Sequence, residues 1–146
     1  MDNVFCNKVM HAFTSRENPL YDMLYLYGQP TSIKLFLDML EENYIQAHPT
    51  GQVIRTNATD FMNETYKQIL RGASYSMPQC DLYVFEEIDD LSGKETNEQK
   101  LYGILDWLLE NKKQIIITGS AATAELTSLA SRIQAQINGG ISLLVE

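Results

Sequence analysis

Five short apolar runs, "MLYLYG" (Met23–Gly28), "QVIRT" (52–56), "CDLYVFEE" (80–87), "QIIITG" (Gln114–Gly119) and "ISLLV" (Ile141–Val145), are separated by segments whose apolar residues return every three or four positions. Short β-branched or aromatic runs fit strands, and a period near 3.6 fits an amphipathic helix. The intervening patterns place Ile33, Phe36, Leu37, Leu40 and Tyr44 on one helical face, then Phe61, Met62, Thr65 and Ile69 on another, and Leu101, Ile104, Leu105 and Leu108 on a third. Strands alternating with helices predict an α/β fold with a doubly wound, mostly parallel sheet and right-handed crossovers. The unbroken run at 114–119 predicts a strand covered on both faces.

Local signals set the expected ends of these elements. Thr31 or Ser32 suits the N-cap of the first helix and Asn57 or Thr59 that of the second, which Gly72 ends. The third helix is expected to begin near Thr96 or Asn97, with Lys112 and Lys113 at the negative pole of its dipole. Two short helices are expected over 122–129 and 130–137. Met23, Met39 and Met62, with Tyr25, Tyr102 and Trp107, are expected to pack against the sheet. No repeat, linker or low-complexity tract divides the chain, so 1–146 reads as one domain.

Composition narrows the function classes. With 19 acidic and 11 basic residues the formal charge is −8, which removes the electrostatic footprint of a nucleic-acid binder and leaves at most weak, local contacts. Cys6 and Cys80 stand far apart with no Cys or His at metal spacing, so both are expected reduced and at least partly buried. His11 and His48 lack local ligand partners, and His48 lies in the turn composition "AHPTG". No apolar run approaches the roughly 18 residues of a membrane span, and no signal peptide is legible. The expected location is the cytoplasm, without membrane contact.

Ligands on doubly wound sheets bind at the carboxyl ends of the strands. Gly28, Glu86, Glu87, Thr118 and Gly119 all fall there. The first of these ends, "YGQPTSIKLFL", matches a phosphate-binding loop G-x-x-x-x-G-K-[ST] only at Gly28 and Lys34, because Ile33 and Leu35 replace the second glycine and the hydroxyl. As a plain alternative, the same loop is a capped helix start with Lys34 on its solvent side. A cluster such as Glu86, Glu87, Asp89 and Asp90 reads either as a cation site or as a solvated acidic edge.

"ENPLYDMLYLYG", "VFEEIDDLSGKETNEQ", "KKQIIITGS" and "LASRIQAQINGGISLLV" resemble, in order and spacing, successive blocks of the AAA+ core of the DnaA family of bacterial replication initiators. The resemblance runs from about Asn7 to Val145 and implies a P-loop NTPase fold. It makes Gly28, Lys34 and Thr118 vestigial nucleotide contacts, and puts Glu86 and Glu87 where the family has its two metal-binding aspartates. Thr118 takes the position that senses the γ-phosphate, and Arg132 matches an arginine of the last block and becomes an interface candidate. Gln136 stands where the family has its arginine finger, a group worth on the order of 10³ to 10⁵ in rate in P-loop enzymes. Pro30 removes an amide from the cradle, and Leu35 the hydroxyl that would hold Mg²⁺. Against the family pattern the expectation is a core domain without the helical lid or the helix-turn-helix domain, and the connection between Leu70 and Asp81 is shorter than the family's DNA-gripping segment.

Taken together these departures lead to the expectation of a pseudo-ATPase, a DnaA-related interaction module or regulator in replication initiation that works by protein contact. A DnaA-type initiator, a replicative helicase or self-association would supply the partner, and no cofactor is expected. Two alternatives stand beside it. One is a regulator weakly binding ADP or ATP with magnesium through Gly28 and Lys34. The other is a DNA-associated, helicase-loader-like factor with a basic strip at Arg55, Lys67 and Arg71.

Overall fold

The β-branched run at 114–119 lies at the centre of the fold, with all six residues buried. In the computed structural model, which describes residues 3–14, 22–72 and 74–146, this run is the fourth strand of a five-stranded sheet. The strands are β1 (Met23–Gly28), β2 (Val53–Asn57), β3 (Leu82–Glu86), β4 (Gln114–Gly119) and β5 (Ile141–Val145), in spatial order β2-β3-β4-β1-β5. Every pairing is parallel: Leu24 stands opposite Ile116 on one side and Ile141 on the other, and Val84 opposite Ile116 and Arg55. The expected α/β sheet is present, with each strand within about two residues of its predicted bounds.

A pleated strand sends alternate side chains to opposite faces, and two cores follow. Met23, Tyr25, Tyr83, Phe85, Ile115 and Ile117 pack under α3 (Ala58–Arg71), α4 (Glu95–Glu110) and α5 (Ser131–Asn138). Leu24, Leu26, Leu82, Val84 and Ile116 pack under α1 (Asn3–Thr14) and α2 (Pro30–Ala47). All five apolar positions expected on α2 are buried, as are Leu101, Ile104, Leu105 and Leu108 of α4. Two buried ionisable side chains tie helices together. Glu98 accepts the Ala130 N–H (2.6 Å) at the start of α5, and Lys100 Nζ donates to Thr65 Oγ1 and Gln68 Oε1 (3.0 Å each).

Several local expectations are corrected. Helix α1 was not anticipated, yet it seals the second core with Val9, Met10 and the wholly buried Phe13. Helix α2 begins at Pro30 and is capped by Gln29, not by Thr31 or Ser32. Helix α3 starts from Asn57 and ends at left-handed Gly72 as read, but Ile69 points outward at its last turn and Met39 of α2 is half-exposed. Residues 122–129 hold a single 3-10 turn, Thr123–Glu125, where a helix was expected. Among the described residues between 74 and 80 there is no helix.

Cys80 is a free, buried thiol, and burial beside Asp81 raises its pKa to about 11. The Cys6 side chain and residues 17–21 of the "ENPLY" block lie outside the described residues. His48 serves the turn: it caps the end of α2, stacks on Tyr44 (ring centroids 4.2 Å apart) and reaches the Thr14 carbonyl (3.2 Å). No helix among the described residues is long and apolar enough to cross a membrane.

Candidate functional site

The carboxyl ends of β1, β3 and β4 open on a cleft of about 590 Å³, and Gly28, Lys34, Glu86, Glu87, Thr118 and Gly119 all line it. One edge of the sheet thus gathers the residues that strand position and loop spacing point to, while Arg132, an interface candidate on the resemblance only, lies away from it on α5.

One wall is the turn from β1 into α2. Gly28 adopts φ +126°, and a Cβ there would drive into the Val145 carbonyl of β5. The close approach of β5 therefore explains this glycine without any ligand. Three of the amides that a phosphate would use are spoken for. Gln29 N–H donates to Val145 O (2.8 Å), Pro30 has none, Ser32 N–H donates to the Gln29 side-chain oxygen (2.6 Å) and Ile33 N–H to the Gln29 carbonyl (2.9 Å). Thr31 N–H is the one amide of this turn without a protein partner among the described residues. Helix N-termini attract anions through just such groups, and here a carboxamide oxygen from the same chain takes the place. Ile33 is buried, whereas Lys34 is exposed on the cleft's rim with no ion pair among the described residues. Leu35 is 62% exposed and turns away from the cleft.

The opposite wall carries the acids. Glu86, at the end of β3, receives Arg55 of β2 in a forked pair, Nε to Oε2 at 3.0 Å and Nη2 to Oε1 at 3.2 Å. Nη1 of the same guanidinium reaches Asp38 Oδ1 and Glu41 Oε2 of α2, both at 2.8 Å. These partners, Glu86 first, hold the Arg55 pKa above its ordinary value against the opposing effect of burial. Arg55 is thereby withdrawn from the basic strip expected with Lys67 and Arg71, and only those two remain exposed on α3. Forked arginine–carboxylate pairs are among the stronger charge-assisted hydrogen bonds. Among the described residues, no three His, Cys, Asp or Glu side chains converge as metal ligands do.

The floor is built by β4 and the turn after β3. Glu87 stands in left-handed backbone (φ 62°, ψ 50°), and its N–H is held by Thr118 Oγ1 at 3.0 Å. Thr118 is buried and so faces Glu87's backbone. Ser120 gives its N–H and its hydroxyl to the two oxygens of Asp89 (3.2 and 2.7 Å), and Tyr25 donates to the Ala121 carbonyl (2.6 Å). Burial, then nearby Asp89, raises the Tyr25 pKa far above its ordinary value. Outside the cleft, the interface candidate Arg132 lies over the Tyr102 ring of its own chain (4.5 Å to the centroid). Gln136 donates to the Tyr102 carbonyl at 3.2 Å.

Sequence reasoning missed two residues that shape this site, Gln29 as cap and Arg55 as partner of Glu86. Pro30 just inside the helix was a signal for the first. Nothing local signals the second, since the paired residues lie 31 positions apart.

Residues 1–144 match the family described as the bacterial DnaA ATPase domain. The chromosomal replication initiator protein DnaA of Acinetobacter baylyi is 30% identical over 148 residues, covering 97% of this chain and 31% of the relative. That of Desulfatibacillum aliphaticivorans is 26% identical over 145 residues, covering 95% and 32%. The chain therefore spans about a third of the length of the curated relatives it matches. Domain III of Thermotoga maritima DnaA has a similar fold, with a TM-score of 0.89 at 18% identity over 99% of this chain and 62% of that one. The DnaC helicase loader gives 0.72 at 13% identity over 98% and 87%. A match over almost every residue, on a parallel sheet whose strand ends carry the expected cleft, shows that the chain belongs to the bacterial DnaA ATPase-domain family.

Proposed function

We propose that the chain serves replication initiation as a non-catalytic DnaA-related module acting by protein–protein contact, with a DnaA-type initiator, a replicative helicase or a second copy as partner. The observation that carries this reading is that the cleft's own residues satisfy one another, Gln29 on the Ser32 amide and Arg55 across Glu86. An entering phosphate would have to displace the first contact and would still lack an amide at Pro30. Magnesium requires near-octahedral oxygen ligands at 2.0–2.1 Å, and would have to take Glu86 from a guanidinium without the help of a hydroxyl at Leu35. The residues present do not fit a magnesium nucleotide, and no hydrolytic step is assigned to them. The shared fold with DnaA structures and with a helicase loader supports the choice of partners.

A second reading rests on Lys34 and the Thr31 N–H, which leave the cleft rim one free cation and one free amide among the described residues. They favour weak ADP or ATP binding by a nucleotide-responsive regulator. Hydrolysis and thermal unfolding, measured with and without millimolar ATP, ADP and Mg²⁺, separate the two. The first reading expects no turnover and no change in Tm. A ligand that binds only the native state raises its stability by mass action, so a Tm increase abolished by Lys34→Ala would establish the regulator instead.

A further inference from the structure

A second pocket, of about 200 Å³, shares no residue with the cleft and lies between the edge strand β2, β3, α3, α4 and the segment 74–80. Lys100 of α4 forms part of its wall and is only 8% exposed. Its Nζ donates to two neutral oxygens, Thr65 Oγ1 and Gln68 Oε1, and lies over the Phe61 and Tyr75 rings, 4.5 and 5.2 Å from their centroids. No carboxylate among the described residues forms an ion pair with it. Buried charges are ordinarily paired, because the water they give up must be replaced. Burial accordingly lowers the Lys100 pKa, with Glu64 pulling the other way. Tyr83 of β3 lines the same pocket at 3% exposure, and its hydroxyl has no hydrogen-bond partner among the described residues. Buried tyrosine hydroxyls usually find one. Acids stand on the other side: Asp60, Glu64 and Gln68 follow one another four apart along α3 and share one of its faces. Asp60 already accepts from the Asn57 side chain (3.1 Å), whereas Glu64 is exposed at the rim without a hydrogen bond or ion pair among the described residues.

We propose that this pocket binds a free α-amino acid with an apolar side chain of about leucine's size, its carboxylate taken by Lys100 Nζ and the Tyr83 hydroxyl and its ammonium by Glu64. Each part of the ligand answers a feature of the wall. The buried ammonium and the unpartnered hydroxyl are two donors for one carboxylate. Asp60 and Glu64 repel a simple anion and select a molecule whose other end is cationic. Ile54, Phe61 and Ile104 supply the apolar surface for the side chain. The volume is that of about six or seven water molecules, below the roughly 300–1,000 Å³ of pockets that hold drug-sized ligands, so a nucleotide does not fit and an amino acid does. Held in this way, the ligand bridges α3 and α4. The inference goes beyond the reading of the chain as a protein-contact module and uses none of the residues that close the cleft.

Calorimetric titration of the whole 146-residue chain with L-leucine tests it, beside isocaproate, which lacks the ammonium, and leucinamide, which lacks the carboxylate. Leucine should bind saturably at one site per chain with a millimolar or lower Kd, and each analogue about tenfold more weakly or worse, since each loses one charge-assisted contact. Lys100→Met keeps the length of the side chain and removes its charge, and should weaken leucine by about tenfold. Glu64→Gln, at an exposed position, and Tyr83→Phe, which deletes one hydroxyl, should each weaken it by about three- to tenfold. These two carry the test should Lys100→Met fail to fold, and circular dichroism confirms the fold of all three. No saturable binding of leucine would overturn the proposal. So would isocaproate binding as tightly as leucine, which would make the pocket a plain anion site, or leucine binding unchanged in both Glu64→Gln and Tyr83→Phe. A Tm increase with ADP would refute the closed cleft without altering any of these outcomes.

Discussion

Replacing Arg55 with methionine removes the one cation on which Glu86, Glu41 and Asp38 converge. The side chains of Arg55, Glu86 and Glu41 are each about a quarter exposed, and that of Asp38 about half. The Asp38 limb, close to a surface pair, is worth at most about 0.5 kcal/mol. The two less exposed limbs are charge-assisted and contribute about 1–1.5 kcal/mol each. Three carboxylates left facing one another add repulsion, so Arg55→Met should cost about 2–4 kcal/mol of unfolding free energy. Glu86→Gln alone should cost about 1 kcal/mol. In the double variant the second change relieves the repulsion created by the first, and the coupling in a double-mutant cycle should reach about 1.5 kcal/mol. Urea denaturation of the four proteins measures it. Additivity to within about 0.3 kcal/mol would refute the reasoning, since independent sites add to that tolerance.

Gly28→Ala puts a Cβ against the Val145 carbonyl at positive φ; it should cost about 3 kcal/mol or prevent folding, read by urea midpoint. Phe13→Ala, at a wholly buried position of α1, should cost about 3–5 kcal/mol in the same assay, and a loss below about 1 kcal/mol would detach α1 from the core. The Cys80 thiol, raised by burial from near 9 to about 11, keeps its proton in the folded state after the unfolded chain has lost it. Its contribution is therefore complete below pH 9 and is lost as pH climbs toward 11. The stability difference between parent and Cys80→Ala should shrink over that window, and a difference flat with pH would contradict the assignment.

How much of this was legible follows from how far apart the cooperating residues lie. Strands and helix faces are written in neighbours two, three or four positions apart, and the five strands and the burial of Ile33, Phe36, Leu37, Leu40 and Tyr44 on α2 were read correctly. The gathering of Gly28, Glu86, Glu87, Thr118 and Gly119 at one edge followed from strand direction, and that of Lys34 from the spacing of the loop after β1. Gln29 escaped because glutamine is not a favoured N-cap and Thr31 and Ser32 are. In the structure Pro30, at the first helical position, moves the cap back to the residue before it. Helix α1 carries the spacing Val9 to Phe13, and its burial depends on α2, which the spacing cannot report. The 122–129 segment has helix-forming alanines, but Thr123 bonds Asn138 (2.6 Å) and Leu126 and Leu129 turn into the first core, which a short 3-10 turn allows. Arg55 and Glu86 meet because β2 pairs with β3, and Arg132 meets Tyr102 because α5 packs on α4; both are facts of tertiary packing.

The central claim is that the turn into α2 is closed by its own side chain. The most direct measurement is a backbone amide NMR titration of the parent with magnesium ADP, following Thr31, Ser32 and Ile33. The account predicts that these resonances stay in place at millimolar ligand, with Ser32 N–H held by Gln29. Saturable movement of the Ser32 and Ile33 amides, lost in Lys34→Ala, would contradict it and restore a working nucleotide site.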